Sequence, residues 1–237
     1  MEIHYLTPEL YIKDNKTYYE GYEIKRNNWH RYLSEIGWGK LHKQWISQLN
    51  KLNKHYYKNN SLFGSLECGN DGDCLFHCIA YAINSIESNM YDSKDIRKIV
   101  ADSVTSDEYD NIITCYRSMK DLDDFDEGWD PYDINSLDRF KDILKTSGHS
   151  YWCDHLILQL VMKTFTINLL ILSQNEFTDY YKPYLLANNY DCTKHTIIIL
   201  HENDSHFKLI GYFQGTMKLY FTNDTIPCEI KALFNLK

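Results

Sequence analysis

The stretch GNDGDCLFHC at residues 69–78 places a cysteine directly after small and acidic residues. Apolar residues recur with helical period from Leu75, so the pattern predicts a helix that begins at Cys74 and ends between residues 84 and 88. A thiolate at a helix N-terminus is stabilised by the positive end of the helix dipole and by the first backbone amides. Two interpretations are open: an ordinary helix cap followed by a core cysteine, or a reactive thiolate aimed at a carbonyl group.

The turn before the cysteine also has the composition of an anion-binding loop. Gly72 has no Cβ and reaches backbone conformations that other residues avoid. Successive amides of such a turn can converge on one anion, and a donor of this kind typically stabilises an acyl-transfer transition state by ~3 kcal/mol. The backbone of this turn is thus a predicted oxyanion hole, formed by the amides of Asp71, Gly72, Asp73 and Cys74.

A thiol hydrolase also needs a histidine that hydrogen-bonds to the nucleophile and a group that orients the histidine ring. The chain has ten histidines, and their positions distinguish them. His206 follows a polar turn at the start of a predicted strand, so its ring can reach a cleft while the strand holds its backbone. His201 ends the preceding strand and is the rival candidate. His77 lies one turn after Cys74, and we expect its ring to point away from the sulfur.

Hydrophobic periodicity predicts the elements that must position these residues. Helical spacing predicts helices over residues 93–105, 136–146 and 153–164, and the β-rich run at 166–172 predicts a buried strand. The segment KHTIIILHENDSHFKLIGYF at 194–213 predicts a hairpin with its turn at 202–205, and MKLYFT at 217–222 predicts a further strand. Helices followed by strands indicate the α+β class, with a small, mostly antiparallel sheet packed between helices.

The N-terminal part of the chain has a different pattern. Apolar residues at helical spacing over 29–55 predict two helices, divided near Gly37 and Gly39. Residues 1–60 carry ten Lys or Arg and six Asp or Glu, a balance of +4; because the whole chain has a net charge of −8, residues 61–237 carry −12. We therefore expect a helical extension at 1–60 that packs on a protease domain at 61–237.

Composition argues against several classes of protein. The acidic main part lacks the dense basic face that nucleic-acid binding needs, and no window is apolar over the ~20 residues of a membrane span. The first residues do not have the pattern of a signal peptide. Seven cysteines with no CxxC pair predict neither a disulfide framework nor a zinc finger. We expect no metal, no cofactor and a reducing, cytoplasmic compartment.

Three segments resemble one protease family. DGDCLFHCIA at 71–80 is similar to the cysteine motif of the ovarian-tumour (OTU) family of cysteine proteases, and SHFKLIGYF at 205–213 is similar to its histidine motif. WCDHLILQLVMKTFTINLLIL at 152–172 resembles the family's tryptophan-containing helix and the strand after it. The resemblance covers about residues 62–213, and the region after His206 looks most like OTU proteins of large DNA viruses.

The resemblance implies a papain-like OTU fold and hydrolysis of the isopeptide or peptide bond after the C-terminal glycine of ubiquitin. It implies Cys74 as the nucleophile, His206 as the general base and then acid, and Asp71 as the motif aspartate. The implied partners are ubiquitin, polyubiquitin chains and ubiquitinated proteins, bound by a monomer without a metal or an organic cofactor. The seven carboxylates of DLDDFDEGWDPYD at 121–133 could form an acidic wall for the arginines of the ubiquitin tail, although such runs are usually solvated loops.

Lys208 departs from the family pattern. Many members have Asp or Asn two residues after the histidine, on the same strand face, where it orients the second ring nitrogen. Lysine has no acceptor, so another group must orient His206; Asp71 is favoured, and the other candidates are Asn203, Asp204 and a backbone carbonyl. Because of this lysine, two alternatives to an active deubiquitinase stay open. One is a catalytically silent module that binds ubiquitin, and the other is a thiol hydrolase or transferase that acts on another acyl substrate.

Overall fold

The computed structural model describes residues 3–53, 61–69, 71–86, 90–125, 129–148, 151, 153–186 and 190–236. The described residues form two compact units. One unit combines the two ends of the chain, from residues 1–68 and 168–237, and the other comes from residues 69–167. No described helix is long and apolar enough to cross a bilayer.

The helices and strands of the described residues are numbered along the chain. The N-terminal part contains β1 (His4–Tyr5), β2 (Leu10–Lys13), β3 (Lys16–Tyr19), β4 (Tyr22–Glu23), α1 (Trp29–Leu33), β5 (Trp38–Lys40), α2 (Lys43–Leu52) and β6 (Phe63–Leu66). The middle part contains α3 (Cys74–Asn84), α4 (Ser93–Ser103), α5 (Ser106–Asp121), α6 (Leu137–Lys145) and α7 (His155–Thr164). The C-terminal part contains β7 (Ile167–Asn175), β8 (Tyr180–Leu185), β9 (His195–Glu202), β10 (His206–Phe213), β11 (Met217–Lys218), β12 (Tyr220–Phe221) and α8 (Cys228–Leu233).

The main sheet belongs to the first unit and contains eight strands. Its order is β5-β6-β10-β9-β7-β8, with β11 beside β10 and β12 beside β9. β10 is antiparallel to both of its long neighbours, so that Leu209 lies opposite Leu66 of β6 and Ile199 of β9. A buried apolar core joins this sheet to α2 and α8, and it includes Leu41, Trp45, Leu49, Phe63, Leu170, Leu172, Ile198, Leu200, Ile210, Tyr212, Phe221, Ile226 and Ile230. Removal of this apolar surface from water stabilises the unit.

Strands β1 to β4 form a separate antiparallel sheet at the N-terminus. Asp14 and Asn15 join β2 to β3 with φ angles of 51° and 58°, as a two-residue type I′ turn requires. The backbone amide and the hydroxyl of Thr17 both donate to the carbonyl of Gly215, each at 2.8 Å. These bonds fasten the small sheet to the C-terminal part of the same unit.

The second unit consists of helices α3 to α7 in its described residues. Local sequence determines where several of them begin. Asp92 forms a capping box with Asp95 at the start of α4, and Thr105 forms one with Glu108 at the start of α5. Asp154 accepts hydrogen bonds from two amides at the start of α7. Helix α4 packs against α3, α6 and α7, so its buried face is a common support for the other helices.

The α+β class is confirmed, as are helices α3, α4, α6 and α7, strand β7 and the β9–β10 hairpin. The antiparallel pairings of β10 with β6 and β9 agree with the mostly antiparallel sheet that we expected. The strand predicted at 217–222 is instead two short strands, because β11 pairs with β10 and β12 pairs with β9. Helices α5 and α8 and strands β6 and β8 were not predicted from the sequence.

The expectation of a helical extension at 1–60 was incomplete. Helices occur at α1 and α2, but four strands precede them and β5 lies between them, at the two glycines. A signal was present, because an Asp-Asn pair between the β-rich runs LYIK and KTYY favours a hairpin. β5 pairs with β6 in the main sheet, and the compact units divide the chain near residues 68 and 168. The assignment of residues 1–60 as an extension and of 61–237 as a protease domain stays a prediction.

Candidate active site

Helix α3 begins at Cys74, as the sequence predicted, and this residue keeps only 7% of its full exposure. Gly72, two positions earlier, has a φ of 85°. Glycine adopts this left-handed conformation without steric cost, so the turn depends on it. The amide of Asp73 donates to Oδ1 of Asp71 at 3.2 Å and closes the turn. The backbone therefore folds back sharply just before the thiol.

Asp73 occupies the N-cap position of α3, but its carboxylate makes no capping bond to the described helix. It pairs with the guanidinium of Arg97 in α4, whose Nη2 and Nε lie 2.5 and 2.6 Å from Oδ1. Both side chains are buried, with 2% exposure for Asp73 and 0% for Arg97. An ordinary helix cap therefore does not explain the acid at this position.

The Arg97 guanidinium also holds the backbone around the turn. It donates at 3.1 to 3.4 Å to three carbonyls, those of Gly72, Leu144 and Tyr151. On the other side of the ion pair, the amide of Gly148 donates to Oδ1 of Asp73 at 3.1 Å. One buried cation thus joins the turn before Cys74 to the chain that links α6 to α7.

Asp71 is the exposed acid of the turn, with 61% of its side chain accessible. Its Oδ2 lies 3.3 Å from Nε2 of His77, one turn into α3. Burial alone would raise the pKa of Asp71, but hydrogen bonds from His77 and from the Asp73 amide lower it overall. Side-chain atoms of Asp71, Asp73 and His77 lie within 4.8 Å of one another. A metal ion there would compete with Arg97 for Asp73, so we assign no metal to this group.

His206 opens β10, and its Nε2 hydrogen-bonds to Oε1 of Glu67. Glu67 follows directly after β6, the strand that pairs with β10, and 40% of its side chain is exposed. A carboxylate on Nε2 fixes the ring orientation and leaves Nδ1 for a second partner. Glu67 was not among the predicted site residues, because it is a single acid after a short strand and lies 139 residues from His206.

Lys208 lies two residues after His206 and contacts two carboxylates. Its Nζ is 2.6 Å from Oε2 of Glu202 and 3.5 Å from Oε2 of Glu67. Burial by itself would lower the pKa of Lys208, but the hydrogen bond and the charge of Glu202, together with Glu67, raise it overall. The lysine is therefore a cation at neutral pH, held between two anions.

Asn203 and Asp204 form the β9–β10 turn, with φ angles of 51° and 59° that these two residue types tolerate. Oδ1 of Asn203 accepts from the amide of Glu176 at 3.1 Å, and Oδ2 of Asp204 accepts from the side chain of Asn175 at 2.9 Å. Both contacts tie this turn to the one between β7 and β8. Their side chains therefore hold the backbone that leads into His206.

His201, the rival histidine, packs flat against Phe207, with ring centroids 4.5 Å apart and an interplanar angle of 18°. Burial lowers the pKa of His201, and this effect exceeds the opposing effect of Asp204. The stacking on Phe207 restrains the His201 ring. His206, by contrast, is hydrogen-bonded to a carboxylate through Nε2.

The predicted site residues fall into two groups. The turn at 71–74 lies in the second unit, and His206 lies in the first together with the turn at 203–204. Trp152 of the third motif segment and residues 126–128 of the acidic run lie outside the described residues. All seven cysteines are among the described residues, and none of them forms a disulfide there.

The chain is similar to known proteins in its structure, but no match was found for its sequence. No protein-family model matches the chain, and no curated protein sequence matches it. An OTU domain solved in complex with ubiquitin is 16% identical with a TM-score of 0.44, over 73% of this chain and 84% of that chain. An OTU deubiquitinase from Wolbachia pipientis wMel is 13% identical with a TM-score of 0.44, over 65% and 91%. The Hazara virus OTU bound to ubiquitin is 12% identical with a TM-score of 0.41, over 64% and 82%.

These similar structures are OTU domains, and they come from a bacterium as well as a virus. A particular likeness to large DNA viruses stays a prediction.

Proposed function

We propose that the protein is an OTU-type cysteine protease that hydrolyses the bond after the C-terminal glycine of ubiquitin. The turn at 71–74 carries the proposal. A left-handed Gly72 leads into a cysteine that opens α3, and the neighbouring acid is bound by Arg97 instead of capping the helix. This arrangement suits a thiolate with oxyanion donors beside it. The motif resemblance at 71–80 and 205–213 supports the choice of substrate.

In the proposed reaction, Nδ1 of His206 accepts the proton of the Cys74 thiol, and the thiolate attacks the carbonyl carbon of the scissile bond. The amide of Asp73, one of the four predicted oxyanion donors, is instead bonded to Oδ1 of Asp71 and keeps the turn in shape. The backbone amides of Asp71, Gly72 and Cys74 stabilise the oxyanion in this proposal. His206 then donates its proton to the departing amine, which leaves a thioester on Cys74. Water, deprotonated by His206, attacks the thioester, and collapse of the second intermediate releases a carboxylate and restores the thiol.

Glu67 has the orienting role in this proposal. Its Oε1 is bonded to Nε2 of His206, so it restrains the ring and stabilises the imidazolium that forms after proton transfer. The acceptor thus comes from the residue after β6, and the position two residues after the histidine need not supply it. The catalytically silent module, which Lys208 had suggested, loses its main support.

Ubiquitin, polyubiquitin chains and ubiquitinated proteins are the proposed partners. The net charge of −8 suits the arginines of the ubiquitin tail, and we propose no nucleic acid and no membrane partner. We propose that the protein acts as a monomer in the cytoplasm, because a reducing compartment keeps Cys74 as a thiol. The scheme needs only residues of this chain and water.

A ubiquitin probe with an electrophilic C-terminus tests the proposed function. The wild-type protein should form a covalent adduct, and Cys74→Ala should form none, because the attacking sulfur is gone. Cys115→Ala and Cys192→Ala are matched controls: both thiols are exposed, and their removal should leave the adduct unchanged. The adduct is measured by its mass.

Two other outcomes would contradict the proposal. Tight binding of ubiquitin by the wild type without any adduct would indicate the silent binding module. Neither binding nor adduct would indicate a thiol hydrolase or transferase that acts on another acyl substrate.

Cleavage rates of Asp71→Asn and Asp204→Asn test the orienting assignment. Asn at position 71 keeps an oxygen that accepts from the Asp73 amide, and the contact that Asp71 makes with His77 is exposed. Asn at position 204 keeps an oxygen that accepts from the side chain of Asn175. Each variant should therefore retain cleavage to within about fivefold. Glu67→Gln should lose more activity than either. If Asp71→Asn abolishes cleavage while Glu67→Gln does not, Asp71 is the orienting group and our assignment is wrong.

A further inference from the structure

We propose that Lys208 is a positioning residue: it holds Glu67 in the orientation in which Glu67 accepts from His206. This inference rests on the proposed function, because it assigns a role in the same site. It also gives a physical reason for a lysine at the position where the related proteases have an acceptor.

Strand register places the three residues together. β10 carries His206 and Lys208 two residues apart, so both side chains lie on the same face of the sheet. Leu66 of β6 lies opposite Leu209 of β10, and the two strands are antiparallel. Glu67, the residue after Leu66, therefore lies beside Lys208, the residue before Leu209. Cross-strand neighbours on one face interact, and an opposite-charge pair there is favourable. The register explains why this acid and this lysine meet.

Every oxygen of the two carboxylates has a partner. Oε1 of Glu67 contacts His206 and Oε2 contacts Lys208, at 3.5 Å. Oε2 of Glu202 contacts Lys208 at 2.6 Å, and Oε1 accepts from the side chain of Gln174 at 2.8 Å. A carboxylate bonded through both oxygens cannot rotate without breaking a bond. Lys208 thus limits the motion of an acid that is otherwise partly open to solvent.

The far end of this network is anchored in the core of the first unit. Oε1 of Gln174 accepts from the indole Nε1 of Trp45 at 3.0 Å, and both of these side chains are buried. Hydrogen bonds join Trp45 to Gln174 and Gln174 to Glu202, and ion pairs continue through Lys208 to Glu67, which contacts His206. Satisfied networks of this kind rigidify the groups they join. Without the lysine cation, two adjacent carboxylates would repel each other, and Glu67 would turn toward water.

Steady-state kinetics on a ubiquitin–fluorophore substrate test the proposal. Lys208→Met should lower kcat by about 10- to 100-fold, because misplacement of a catalytic group by about 1 Å has effects of this size. KM should change by less than about threefold, since the lysine does not contact the reacting bond in this scheme. Lys194→Met is the matched control: this lysine also pairs with an acid of the first unit, and its removal should leave kcat unchanged.

A charge exchange separates positioning from a merely structural role. Glu67→Lys alone should remove the acceptor and most of the activity. The double variant Glu67→Lys with Lys208→Glu places a carboxylate two residues after His206, on the same face, with a cation beside it. It should recover at least about tenfold in kcat over Glu67→Lys alone, about 1.4 kcal/mol of transition-state stabilisation. Full kcat in Lys208→Met, or no recovery in the double variant, would overturn the proposal.

Nuclear magnetic resonance of the His206 ring gives a readout that does not need activity. The Nε2 proton bonded to Glu67 should give a strongly downfield signal in the wild type and lose it in Lys208→Met, but keep it in Lys194→Met. A wild type that does not cleave ubiquitin but shows this pattern would reject the proposed function and retain the role of Lys208. A signal that persists unchanged in Lys208→Met would reject that role, whatever the activity.

Discussion

Replacing Arg97 by methionine should lower the free energy of unfolding by about 3–5 kcal/mol, because it leaves the Asp73 carboxylate buried without its cation. The substitution also removes the donors to three backbone carbonyls around the turn. Urea denaturation of the full chain, followed by circular dichroism, measures the loss. Arg139→Met is the control, since Arg139 is an exposed arginine of α6 in the same unit, and it should change stability by less than about 0.5 kcal/mol.

A double variant identifies the physical cause of this loss. Asp73→Asn combined with Arg97→Met removes both charges, so it should be more stable than Arg97→Met alone, because no unpaired charge stays buried. A cost below about 1 kcal/mol for Arg97→Met would mean that the buried ion pair is not formed. In variants that stay folded, labelling by the ubiquitin probe should slow, since the turn before Cys74 has lost its anchor.

His206→Ala should lower the cleavage rate by about 100- to 10,000-fold, the usual contribution of a general base. His201→Ala should retain cleavage to within about fivefold and lose the stacking on Phe207, which contributes about 0.5–1.5 kcal/mol of stability. Cleavage of a ubiquitin–fluorophore substrate measures the rates, and thermal unfolding measures the stability. The reverse result, with His201 essential and His206 dispensable, would require a different base.

The hairpin and the helix starts could be predicted because their signals are local. The β9–β10 hairpin has two apolar runs around a polar turn, and the structure pairs them in register from His206 and Glu202 to Ile210 and Ile198. The start of α3 at Cys74 follows from the apolar period after it and from the glycine turn before it. Backbone conformations of this kind depend on neighbours within a few residues.

The N-terminal sheet has a local sequence signal, but a stronger helical pattern follows it in the same segment. The Asp-Asn turn between β2 and β3 favours a hairpin, but the strong helical spacing further along led us to expect a helical segment. The two patterns belong to successive elements of the same segment. The helices occupy only the later part of residues 1–60, and the Asp-Asn turn marks the strands that precede them.

The sequence alone determined the chemical candidates: a cysteine at a helix start after a glycine turn, a histidine at a strand start, and a lysine unable to orient it. The contacts of Glu67 with His206 and of Arg97 with Asp73 are visible in the three-dimensional fold and not in the sequence. The register of two strands determines the first contact and the packing of two helices determines the second. Each depends on segments far apart in the chain, so no local pattern of residues encodes it.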